Sequence, residues 1–154
     1  GKPELIWQND TTRQVAAWYM GGAMGNQFQS FRWLDGAGTP GWRVAAVADL
    51  TRSGKYDLIW QNDTTGQVVA WYMTGAMGDQ YQGYVWLQNS NTPGWRVIGV
   101  ADLDENNRPD LMWQEESTRK VAVWYMSGAI GNQFQSFAWV ESNGIPGWRA
   151  IGVR

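Results

Sequence analysis

Three segments join planar amides to aromatic rings: GNQFQSFRW at residues 25–33, GDQYQGYVW at 78–86 and GNQFQSFAW at 131–139. Rings offer flat apolar faces, and amides both donate and accept hydrogen bonds, a combination suited to stacking on a sugar and reading its hydroxyls. Gln27, Gln80 and Gln133 recur without change, as do Trp33, Trp86 and Trp139, and these six are the candidate ligand residues. A purely structural role is the alternative, with the glutamines pinning a loop and the tryptophans filling space. A second group, Asp102, Asp104, Asn106 and Asp110 in DLDENNRPD, supplies closely spaced oxygen ligands for a hard cation such as calcium. The matching loop DLTRSGKYD keeps Asp49 and Asp57 but puts Thr51, Arg52, Ser53 and Lys55 between them. Asn107 stands where a sharp metal loop normally has glycine, so a hydrogen-bonded Asx turn competes with metal binding and calcium is expected to bind weakly if at all.

Catalytic chemistry is poorly supplied. The chain has no histidine and no cysteine, so its hydroxyls lack the usual base and thiol chemistry is excluded. Neither a nucleophile elbow nor a phosphate-cradling glycine motif is present. Asp10 and Asp63, replaced by Glu116, precede or occupy polar turns, where an aspartate usually bonds the backbone. No partner carboxylate for glycoside hydrolysis is evident. The expectation is a binding protein and not an enzyme.

The elements that position these residues come in threes. Tryptophans fall at Trp7, Trp60 and Trp113; Trp18, Trp71 and Trp124; Trp33, Trp86 and Trp139; Trp42, Trp95 and Trp148, always 53 residues apart. Of the 53 residues in 1–53, 34 are identical in 54–106, and 107–154 follows the same pattern. The 154 residues are therefore read as one repeat domain of three units, 1–53, 54–106 and 107–154. Each unit contains runs such as LIWQND, VVAWYM, YVWL and WRVIGVAD, rich in β-branched and aromatic residues and separated by polar, glycine- and proline-containing turns. Four strands per unit predict twelve strands and no helix. Apolar residues on both strand faces predict small sheets stacked face to face, with Trp7, Trp18, Trp42 and their counterparts mostly in the core.

The pattern GWRVxGVADxxxxxxxDLxWQNxTTGQVxxWYMxG, nearly complete at residues 41–75 and 94–128, resembles the bacterial FG-GAP or VCBS-type repeats. That resemblance implies β-propeller blades, calcium in the acidic loop at Asp49 and Asp57 or at Asp102, Asp104, Asn106 and Asp110, an extracellular location and a role in adhesion or ligand recognition. Three blades do not close a ring, which usually takes four to eight. A homodimer would supply six, with GWRAIGVR of one chain against ELIWQN of the other. A β-trefoil, also three repeats of four strands, is the alternative fold. The function expected is multivalent, lectin-like carbohydrate binding, and the alternative is a structural or protein-interaction module of an extracellular protein.

The charges, 12 basic and 14 acidic, give a net charge of -2 and build no single-sign surface for nucleic acid. No run approaches the length of a membrane-spanning helix, so membrane insertion is not expected, and GKPELIWQ lacks the pattern of a signal peptide. The lack of cysteine suits both bacterial secretion and the cytoplasm.

Overall fold

The computed structural model describes residues 4–153, which form eleven strands and no helix. Sheet A contains β1 (Glu4–Gln8), β2 (Val15–Gly21) and β3 (Gln27–Asp35). Sheet B contains β4 (Trp42–Ala48), β5 (Asp57–Asn62), β6 (Val68–Thr74) and β7 (Gln80–Gln88). Sheet C contains β8 (Trp95–Ala101), β9 (Asp110–Glu115), β10 (Val121–Ser127) and β11 (Gln133–Glu141). Each sheet is an antiparallel meander in chain order, and none closes on itself. The sheets are out of phase with the sequence repeat: β4 lies in the first 53 residues yet pairs with β5 of the second. No helix forms among the described residues, because valine, isoleucine and aromatic side chains favour extended backbone and glycine interrupts the alanine-rich pieces.

The tight turns between β1 and β2 and between β5 and β6 are each capped by an asparagine side chain. Asn9 Oδ1 accepts from the amides of Thr11 and Thr12 at 2.9 and 2.8 Å, and Asn62 Oδ1 does the same for Thr64 and Thr65. The sequence had suggested the neighbouring aspartates for this role. Asp63 instead pairs with Arg13 of sheet A at 2.8 Å and lies 3.8 Å from Arg43. The turn needs one residue with positive φ, which Gly66 supplies at 75° while Arg13 and Arg119 adopt 62° and 64°.

The core lies between sheets. Leu58, Trp60 and Met73 of sheet B form one buried cluster with Val15, Ala17 and Leu34 of sheet A. Leu111, Trp113 and Met126 of sheet C form another with Ile59, Val68 and Leu87 of sheet B. Each fully buried aliphatic side chain contributes about 1.5–3 kcal/mol, so these two seams dominate the stability.

Polar contacts repeat across the seams. The Tyr19 hydroxyl donates to the Met77 carbonyl at 2.9 Å, and that of Tyr72 to the Ile130 carbonyl at 2.8 Å. Burial pushes the Tyr72 hydroxyl up to about 12, so it remains a donor. A glutamine at or next to the end of β1, β5 and β9 clamps a later segment. Gln8 donates to Trp42 O and accepts from Val44 N, and Gln61 does so with Trp95 O and Val97 N. Gln114 reaches Trp148 O at 3.4 Å and Ala150 N at 3.0 Å.

Two sequence expectations need correction. Eleven strands are seen among the described residues instead of twelve, because residues 148–153 have no strand paired against them. The tryptophans at equivalent positions are also not equally buried: Trp60 and Trp113 are 1% and 2% exposed, whereas Trp7 is 49% exposed. Trp18 and Trp148 are exposed as well. Position in the stack decides the difference between Trp7 and Trp60, since among the described residues the aromatic face of sheet A has no sheet in front of it.

Candidate aromatic binding surface

The outer strands β3, β7 and β11 carry aromatic residues two apart, which places both rings on one face. Phe31 and Trp33 meet edge to face at 5.7 Å and 88°, Tyr84 and Trp86 at 6.5 Å and 85°, and Phe137 and Trp139 at 6.0 Å and 88°. All six rings are substantially exposed. The same right-angled corner is therefore presented three times. Trp86 and Trp139 are braced from behind by Trp42 and Trp95, at 6.2 and 6.0 Å. In sheet C, Trp95, Trp113, Trp124, Phe134, Phe137 and Trp139 line an apolar cleft of about 280 Å³.

Gln27, Gln80 and Gln133 occupy the other ends of these strands, opposite Gly21, Thr74 and Ser127, while Trp33, Trp86 and Trp139 lie opposite Ala16, Val69 and Ala122. Six residues separate the members of each pair, roughly 20 Å of strand. The structure does not bring them to one point. The glutamine side chains instead lie over turn glycines, where a Cβ at Gly22, Gly75 or Gly128 would come within 2.7, 2.9 or 2.8 Å of them.

Polar groups closer to the tryptophans were not singled out from the sequence. Trp33 packs beside Gly36, whose carbonyl accepts from the Gln14 amide at 2.7 Å. Gln67 makes the corresponding bond to Asn89 O, and Lys120 places its ammonium 6.0 Å from the Trp139 ring. The signal available in the sequence was repeat position, since Gln14, Gln67 and Lys120 are 53 residues apart.

In the acidic loop, carboxylate oxygens of Asp102, Asp104 and Asp110 lie within 4.8 Å of one another. Much of their capacity is already used. Asp102 accepts from Asn107 N, Asp104 accepts from Asn106 N and Nδ2, and Asn106 Oδ1 accepts from Arg108 N. Asp110 is fully buried and takes Leu103 N at 2.7 Å and Met126 N at 2.8 Å. Asn107 adopts φ 66°, matching Gly54 at 78° in the companion loop, where Asp49 accepts from Ser53 N and Gly54 N. This is the bonding of a self-satisfied turn. Calcium titrated calorimetrically into chelator-treated protein is expected to give little heat, with a Kd weaker than about 1 mM. A tight stoichiometric site would contradict this.

Asp57 repeats the buried arrangement, accepting from Leu50 N and Met73 N, both at 3.0 Å. Burial is the main cause raising the pKa of Asp57 and Asp110, opposed by these backbone donors. Both are enclosed in the fold, away from the aromatic corners, and their bonds are structural.

No family model matches the chain, and comparison with curated proteins and with solved structures gives no match either.

Proposed function

We propose that the protein is a multivalent carbohydrate-binding protein without catalysis, with up to three sites at the corners Phe31/Trp33, Tyr84/Trp86 and Phe137/Trp139. The observation that carries this reading is the threefold presentation of one right-angled, solvent-facing aromatic pair. The C–H face of a pyranose is apolar and flat enough to rest on an indole, while the second ring bounds its edge. Gln14 and Gln67 occupy the repeat position of Lys120, whose ammonium lies 6.0 Å from the Trp139 ring, so the third corner differs chemically from the other two. Linked weak sites gain strength through avidity on a multivalent glycan.

The fold we assign to this function is an arc of β-propeller blades working outside a bacterial cell, as the resemblance of the repeats implies. Supporting it are the four-stranded meanders stacked face to face and the adjacency of their first strands, β4 and β8.

A glycan array spanning neutral and acidic sugars, followed by titration of the best ligand, tests the function. Trp33→Ala, Trp86→Ala and Trp139→Ala are each expected to remove one binding equivalent per chain, and the triple variant to reduce avidity by about 100-fold or more. A blank array with folded protein would favour the structural-module alternative. Unchanged stoichiometry in the variants would move the site away from these corners.

A further inference from the structure

The two ends of the sheet stack match each other. On sheet A the face bearing Leu5, Trp7 and Trp18 is open, whereas Leu58 and Trp60 of sheet B, and Leu111 and Trp113 of sheet C, are buried at the same repeat positions. On sheet C the opposite face is open at its β11 edge, where Val140 is 59% exposed and its counterpart Leu87 is 6%, while Val121 and Val123 on that face are buried. Within the chain, a face of the first kind always packs on one of the second kind.

The strand edges match too. β5 and β9 are flanked by β4 and β8, but β1 is an edge strand among the described residues. The segment 148–153 ends beside β8, where a Cβ on Gly99 would lie 3.0 Å from Val153. Gln114 holds this segment as Gln61 holds β8, yet its far edge pairs with nothing among the described residues.

We infer that the free edge and aromatic face of sheet A are the docking site for residues 148–153 and the open face of sheet C of a second copy of this chain, giving a head-to-tail dimer with two identical seams. The register follows from the β4–β5 and β8–β9 pairings: Trp148 opposite Asn9, Arg149 opposite Gln8, Ala150 opposite Trp7, Gly152 opposite Ile6 and Val153 opposite Leu5.

Two features of the open ends fit a second copy of this chain as the occupant. The first is charge. Asp63 of sheet B meets Arg13 across the seam with sheet A and lies 3.8 Å from Arg43 on β4 of its own sheet. Their counterparts at the open ends are Asp10 on one side and Arg119 and Arg149 on the other, and none of these three enters an ion pair among the described residues. Docking puts Asp10 of one chain between Arg119 and Arg149 of the other. The second is the tyrosine bond. Tyr19 and Tyr72 each donate to a carbonyl 58 residues ahead, and the same step carries Tyr125 to Met24 of the second chain, an exposed residue here. A rotation that closes yields a finite assembly, and one that does not yields a filament; six sheets fall within the range that closes as a ring.

Sedimentation equilibrium at low micromolar concentration is expected to give twice the 17.4 kDa of the chain. Asp10→Arg alone and Arg119→Asp/Arg149→Asp alone place like charges at both seams, and each is expected to weaken self-association by at least about tenfold. Mixed one to one, the two variants regain opposite charges at both seams and should form a heterodimer. Circular dichroism establishes that each variant is folded. A monomeric or filamentous parent chain, variants that dimerise alone as well as the parent, or a folded mixture that stays monomeric would each overturn the proposal. Because sugar is absent from this experiment, its outcome is independent of the carbohydrate reading.

Discussion

Replacing Trp60 by alanine is expected to remove about 3–5 kcal/mol of stability, the range for emptying a buried tryptophan site. Trp60 sits in the seam between sheets A and B among Val15, Ala17, Leu34 and Met73, and its ring lies 4.8 Å from that of Trp71. Its indole N–H has no hydrogen-bond partner in the structure, so the loss is almost wholly one of packing and transfer from water. Native stabilities are typically about 5–15 kcal/mol, which makes this a large fraction of the whole. Urea denaturation followed by near-ultraviolet circular dichroism should show a lower midpoint with little change in slope. Trp7→Ala is the informative companion. At the same repeat position but exposed within one chain, Trp7 should cost under about 1 kcal/mol in the dissociated Asp10→Arg background, and considerably more in the dimer inferred above. Equal, large losses at both sites in a demonstrated monomer would mean that sheet A is covered by something else.

Asp110→Ala is expected to destabilise by about 3–4 kcal/mol, because it strands two buried amides, Leu103 N and Met126 N, each losing a bond to a charged acceptor. Asp110→Asn keeps an acceptor and should cost less. The same pair of aspartates sets a pH dependence. With the folded-state pKa of Asp57 and Asp110 raised by burial, the folded protein holds these protons to higher pH than the unfolded chain, whose aspartates titrate near pH ~4. Their contribution is therefore fully present below the unfolded pKa and is lost as pH rises through the folded pKa. The Asp57→Asn/Asp110→Asn variant should flatten that fall in a series of denaturation curves. A parent chain whose stability rises steadily through the same window would show that the backbone donors outweigh burial.

Much of the fold could be read in the sequence because its physical signals are local. The 53-residue spacing of tryptophans, the β-branched runs and the glycine- and proline-marked turns locate the strands, and eleven are found where they were expected. What the sequence concealed depends on neighbours. Nothing local distinguishes Trp7 from Trp60; only their places in the stack do. Residues 148–153 have the composition of β8 but no strand to pair with, and pairing is what makes a strand. The caps on the β1–β2 and β5–β6 turns belong to Asn9 and Asn62 and not to the adjacent aspartates, a one-residue distinction that composition does not resolve. For the candidate site, the Phe31–Trp33 spacing was legible as one strand face. The glutamines were joined to it because they share a short segment, although an extended chain carries its two ends far apart. The help offered by Gln14, Gln67 and Lys120 comes from the far side of a hairpin.

The mismatch between sequence repeat and sheet has a consequence for how such a chain can grow or shrink. The first and second units each contribute three strands to one sheet and one strand to the next, so both junctions are stitched by covalent chain as well as by packing. Duplicating or deleting a whole unit within the gene adds or removes one complete sheet. A change of this kind in the middle of the described residues leaves the edge of β1 and the segment held by Gln114 as they are. Under the head-to-tail docking inferred above, changes in unit number would keep the same interface while altering the count of chains needed to meet around a circle. A lineage built this way can explore assemblies of different size without redesigning an interface, because every interface it needs is already drawn between the units of a single chain.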